Sequence, residues 1–203
     1  MTSPGQNRAA APPGAFGLFK LLALTAVAVC AVAVCAGQAS AQGVKFNDAQ
    51  RKALILYNFA KFTEWPESSF ADQKAPFVIG ILGKDPFGKN IDILKDKTIK
   101  GRNIKVKYFT SPDESTNCHL LFISKSEMEN LPQILKQLGD SSILTTAEAQ
   151  DDFIKHEGII NLVPERQPNG TETVGFEVNR LAAEKAKLKL DTQLLRLAKN
   201  VRS

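Results

Sequence analysis

Cysteine is scarce in this chain: 203 residues hold three, Cys30, Cys35 and Cys118. The first two lie in an apolar N-terminal run, so a chain that loses the run keeps only Cys118 and forms no intrachain disulfide. Cys118 opens an apolar stretch and reads as a small buried hydrophobe; an intermolecular bond or a redox role is the sharper alternative. Histidine is scarcer, with His119 and His156 alone. Adjacent strand residues point to opposite faces, so Cys118 and His119 do not converge on one metal. His156 ends a predicted helix, where an imidazolium suits the helix dipole. The chain has no G-x-S-x-G, H-E-x-x-H or C-x-x-C, and neither glycine-rich nucleotide motif. Asp113-Glu114 and Asp151-Asp152 fall on predicted surface turns without a basic or metal-binding cluster beside them. These residues name no catalytic group, metal ligand or cofactor site, so the chain reads as a non-enzyme.

A large charge excess is also missing. The formal net charge is +5, and Arg8 and Lys20 are the only charges in residues 1–41. Without that segment the balance falls from +5 to +3, too mild for a nucleic-acid partner. Lys95, Lys97, Lys100, Arg102, Lys105 and Lys107 do cluster. A solvated face around a strand accounts for them, with an acidic lipid or protein surface as the alternative.

Residues 1–41 read as a secretory signal peptide. Leu21 to Val34 is an apolar run, and Ala39-Ser40-Ala41 supplies the small residues that signal peptidase requires, with cleavage after Ala41. The run is shorter than the ~20 residues of a spanning helix. Valine precedes both of its cysteines, unlike the small residue usual before a lipid-modified cysteine. Removing 41 of 203 residues leaves 162, the size of one domain.

The stretch that organises this domain runs from Phe46 to Pro66. At 100° per residue Ala49, Ala53, Leu56, Phe59 and Ala60 fall on one side of a helix, and Asn47, Arg51, Asn58 and Lys61 on the other. Leu54 interrupts the polar stripe, Ile55, Tyr57 and Phe62 widen the apolar arc, and Trp65-Pro66 ends the stretch. Leu54, Lys61 and Trp65 are therefore candidates for a contact surface, for self-association as a homodimer or for a partner. The competing reading has Trp65 folding back to staple Glu67–Phe70 onto the core.

Phe77–Leu82, Ile104–Phe109, His119–Ile123 and Ser141–Thr146 read as strands, and the second carries lysines suited to a sheet edge. Helices are expected from Pro86 to Leu94 with Asp85 as cap, from Glu127 to Leu138 behind a Ser124–Glu127 capping box, and over Ala147–His156. Ile159–Val163 and Thr173–Val178 flank Pro168-Asn169-Gly170 as a hairpin closing one edge of the sheet. A helix from Asn179 follows, then a last one capped by Asp191, with Leu194, Leu197, Ala198 and Val201 on one face. The expected fold is α/β: a three-layer sandwich with a mostly parallel mixed sheet, helices on both faces and a C-terminal β-hairpin. Ligands of such sheets gather at strand carboxyl ends. Lys84, Asp85, Ser124, Lys125 and Thr145 are thus a candidate small-anion site, unless Asp85 and Ser124 are simply helix caps.

Several stretches, in order, carry a resemblance: KALILYNFAKFTEWP at Lys52–Pro66, FVIGILGKDPFG at Phe77–Gly88, CHLLFIS at Cys118–Ser124, ILTT at Ile143–Thr146, GIINL at Gly158–Leu162, FEVN at Phe176–Asn179 and LLRLA at Leu194–Ala198. Together they resemble the YfiR/HmsC-like family of small periplasmic proteins. The resemblance implies an exported periplasmic regulator, built from one domain at 42–203, that restrains a membrane-bound diguanylate cyclase or sensor kinase. The paired cysteines of some members do not carry over to this chain. A small-ligand-binding module, like one lobe of a solute-binding protein, is the alternative.

Overall fold

Asn47 starts the first helix. Its side chain accepts from Gln50 N at 2.9 Å while Gln50 Oε1 accepts from Asn47 N at 3.1 Å, a reciprocal cap on the free donors of the first turn. Helix α1 (Asp48–Lys61) then buries Ala53, Leu56, Phe59 and Ala60. Leu56 and Phe59 each contribute roughly 2–3 kcal/mol by leaving water. The helix stops before the Pro66 that limits it, and Thr63 Oγ1 closes its end on Phe59 O at 2.8 Å. The computed structural model describes residues 46–149, 153–168 and 170–203; the expected signal peptide, Asp151-Asp152 and Asn169 lie outside them.

Strand β1 (Thr63–Glu64) leads into β2 (Phe77–Leu82), whose six residues are all buried. Next come β3 (Thr98–Ile99), β4 (Arg102–Phe109), β5 (Leu120–Ile123), helix α2 (Leu131–Leu138) and β6 (Leu144–Ala147). The hairpin β7 (Ile160–Arg166) and β8 (Glu172–Asn179) precedes helix α3 (Arg180–Lys185), β9 (Lys189–Leu190), helix α4 (Thr192–Leu197) and β10 (Asn200–Arg202). Eight strands form one mixed sheet in the order β10-β8-β7-β6-β5-β2-β4-β3, with β4, β2, β5, β6 and β7 mutually parallel. β1 and β9 pair separately, which ties the end of α1 to the C-terminal segment.

Alternation along the strands divides the core between two faces. Phe77, Ile79, Ile81, Leu120, Phe122 and Leu162 meet α1, α3 and α4 on one face. Val78, Leu82, Leu121 and Ile123 meet α2 and Phe153 on the other. The expected three-layer α/β architecture is present.

Local details differ from expectation. Gly88–Leu94 is a 3₁₀ turn whose N-cap position is Phe87, and Asp85 holds the turn before it by accepting from Phe87 N and Gly88 N at 2.8 and 3.0 Å. The segment expected as one helix from Glu127 is a 3₁₀ turn, Lys125–Asn130, followed by α2. Pro132 explains the break, since it withholds an N–H that helix from Glu127 would require. The expected capping box is not made: Ser126 Oγ, rather than Ser124, bonds Glu127 Oε1 at 2.9 Å. β6 runs to Ala147, where helix was expected, and the described part of that helix, from Phe153, is turn. The hairpin does not close the sheet, because β10 lies outside β8 in parallel. Val201 therefore sits on a strand and not on a helix face with Leu194.

Candidate functional site

Trp65 does not stand clear of the domain. Its indole Nε1 donates to His119 O at 3.1 Å, and its ring meets Phe77 edge-on at 4.9 Å. The His119 ring lies between Phe70 and Phe77, with centroids 4.4 and 5.0 Å away and planes 16° and 27° apart. Its Nδ1 accepts from Val78 N at 2.9 Å, so Nε2 carries the proton and donates to Ser69 O at 3.0 Å. One imidazole thus pins the loop after Trp65 to the start of β2. Arg102 covers the outer side of Phe70 at 3.9 Å and donates to Asp72 O and Ala75 O, both at 2.8 Å. Beside this stack is a cleft of about 500 Å³ lined by Glu64, Trp65, Glu67, Phe70, Phe77 and Arg102.

Burial lowers the His119 pKa, and the nearby Arg102 cation lowers it further; the bond to Ser69 O works the other way. Protonating Nδ1 would also strip Val78 N–H of its acceptor. Cys118 faces the opposite side of the sheet, as expected, with its thiol donating to Ser115 O at 3.0 Å. Burial pushes that thiol up to about 12, so it is held protonated and unreactive. Among the described residues no group of three or more His, Cys, Asp or Glu is placed to hold a metal.

Leu54 and Lys61 lie two turns apart on α1. Leu54 is half-buried against the core, whereas Lys61 is exposed with its ammonium 5.7 Å from the Tyr57 ring centre. Lys97 reaches the same ring at 5.5 Å, and Tyr57 OH donates to Thr98 O at 3.2 Å. Trp65, beyond the end of α1, is half-buried and anchored through its indole bond to His119 O.

The residues considered for an anion separate into two places. The chain runs outward from β2 to β4 and returns to β5 on the other side, so the switch in strand order lies between β2 and β5. Lys84, Asp85, Ser124 and Lys125 do follow the carboxyl ends of those strands. Ser126 fills the gap between them: its Oγ accepts from Lys84 N at 3.0 Å. Gly83, at φ +84°, has room for no Cβ because Ser126 and Glu127 occupy that space. Ser124 Oγ is buried without a hydrogen-bond partner among the described residues. Thr145 is elsewhere, mid-strand opposite Leu121, with its Oγ1 accepting from Ile159 N at 3.1 Å. A strand ending at Thr146 would put Thr145 at its end, but β6 runs on to Ala147.

Of Phe70, Arg102 and His119, only Phe70 was expected near Trp65, in the reading that staples Glu67–Phe70 onto the core. The three come from separate stretches, and no local sequence signal joins them.

Among solved structures, a conserved domain protein from Vibrio cholerae O1 biovar El Tor is similar at 8% identity and TM-score 0.50, over 78% of this chain and 61% of its own. The ABC domain in complex with L-Trp from Streptococcus pneumonia matches at 11% identity and TM-score 0.48, over 75% and 60%. The chain thus spans about three-fifths of each, and the Vibrio likeness speaks to fold alone. No curated protein matches. The YfiR/HmsC-like family model matches residues 49–199, from the first turn of α1 to the residue before β10, and on that match the chain belongs to the YfiR/HmsC-like family.

Proposed function

We propose that this protein is an exported periplasmic regulator that restrains a membrane-bound signalling protein, a diguanylate cyclase or a sensor kinase, by binding its periplasmic sensor domain. Family membership across residues 49–199 carries this reading. The apolar run closed by Ala39-Ser40-Ala41 supports delivery to the periplasm, with residues 42–203 as the working domain. Restraint requires the regulator to bind the inactive state of its partner more tightly than the active state. The outer side of α1 is the proposed contact surface, with Leu54 and Lys61 as its centre and Trp65 at its rim. A homodimer formed through the same surface would compete with the partner.

Deleting the gene beside its cognate cyclase should raise cyclic di-GMP, and restoring it should reverse the rise. Unchanged cyclic di-GMP in that strain would refute the cyclase version. A Lys61→Glu variant should fail to restore restraint and fail to retain the sensor domain in a pull-down. Its stability should fall by no more than about 1–2 kcal/mol, from the lost cation at the end of α1 and over Tyr57, which leaves the domain folded. A Lys61→Glu protein that binds and restrains normally would remove this surface from the reading.

A further inference from the structure

We propose that the outer edge of β4 docks one extended segment of a partner protein, in which acidic residues alternate with apolar ones, as an added strand of the sheet. The inference rests on the reading that the chain acts by protein–protein binding, and it identifies a surface apart from α1. β2 pairs with β4 from Ile104 to Phe109 on the inner side. On the outer side β3 pairs only with Arg102 and Asn103. Among the described residues no strand pairs with the outer side of residues 104–109, about 20 Å of edge at ~3.3 Å per residue.

The side chains along this edge are sorted by face. Ile104 and Val106 lean on the core beneath α1, and Tyr108 follows on that face with 54% of its surface exposed. Lys105 and Lys107 project from the opposite face, where Phe109 turns inward. Neither lysine has an ion-pair partner among the described residues. Acidic side chains are therefore welcome beside the lysines, and apolar ones beside Ile104, Val106 and the exposed ring of Tyr108.

A strand has a period of two, so the incoming segment inherits this sorting. Its acids face Lys105 and Lys107, and its apolar residues cover Ile104, Val106 and Tyr108. Main-chain hydrogen bonds supply affinity, and the alternating side chains supply selection. A second copy of β4 is rejected, because lysine would face lysine.

The test uses the signal-free full domain and a short labelled peptide alternating Glu and Val. A second peptide, N-methylated at alternate amides, loses one set of backbone donors but keeps its charges. Vesicles of phosphatidylglycerol probe an anionic lipid surface instead. The first peptide should bind, and both N-methylation and the Lys105→Glu/Lys107→Glu double variant should weaken it by about tenfold or more. The double variant should melt close to the parent, since Lys105 is exposed and Lys107, half-buried, has no ion pair among the described residues to lose. Absence of peptide binding, binding indifferent to N-methylation, or vesicle binding lost in the double variant without peptide binding would each overturn the docking edge. A double variant that loses the peptide yet restrains the partner fully also overturns it and leaves the regulator reading intact. Loss of the deletion phenotype with peptide binding preserved refutes the regulator reading alone.

Discussion

His119→Ala is expected to lower the unfolding free energy by about 3 kcal/mol or more, read from urea denaturation. Three losses add up. Val78 N–H is buried and would lose its acceptor, at about 1–3 kcal/mol. The stacks on Phe70 and Phe77 would disappear, at about 0.5–1.5 kcal/mol each. Ser69 O would lose the donor that holds the loop after Trp65. Trp65 is the chain's only tryptophan and its indole bonds the carbonyl of the same residue, so its emission should shift to longer wavelength as the loop loosens. An unchanged emission maximum and an unchanged midpoint would show that the imidazole does not hold the loop.

The same residue sets a pH dependence whose sign follows from linkage. The folded-state pKa is lowered below the ordinary 6.5, so the unfolded chain takes up the proton first. The stability contribution is complete above 6.5 and is lost as pH falls from there towards the folded-state value, at up to about 1.4 kcal/mol per pH unit. The parent protein should weaken in that window, and the alanine variant should weaken less steeply. Equal slopes would mean that His119 is not the group responsible.

Gly158→Val should be comparably damaging, for a steric reason. A Cβ at Gly158 would overlap the ring of Phe153, which is fully buried on the α2 side of the sheet. Gly158 N also donates to Phe153 O at 2.9 Å, so the two backbones cannot separate without losing that bond. Either the ring leaves its site or the strand entering β7 shifts, at about 3 kcal/mol. For a domain of this size that corresponds to a melting point lower by roughly 6–12 °C. Adding Phe153→Ala to Gly158→Val should cost less than the sum of the two single changes, because the overlap is then gone. Strict additivity would exclude the clash as the cause.

Strong local signals in the sequence were matched by structure. The buried run of β2 and the hairpin β7–β8 each depend on residues within a few positions of one another. The misjudged pieces were those with competing local solutions. Asp85-Pro86 is equally good at opening an α-helix or a 3₁₀ turn, and packing under α1 selected the turn. The segment after Asp191 contains a short helix, but its last residues gain more by pairing β10 with β8 than by extending that helix.

The sequence by itself determined the α/β class, the two-faced division of apolar residues and the family, because period-two and period-3.6 patterns and ordered motifs are properties of neighbours along the chain. Tertiary structure alone decided which distant residues share a site. Parallel pairing of β2 with β5 brings His119 beside Val78 and Phe77, and the loop after α1 then delivers Phe70 and Trp65 to the same imidazole. Parallel strands require long crossovers, so the residues meeting at their ends are some 40 to 50 positions apart, as with Val78 and His119 or Ser69 and His119. Such a meeting leaves no mark in any local pattern, and it was fixed only when the sheet order was fixed.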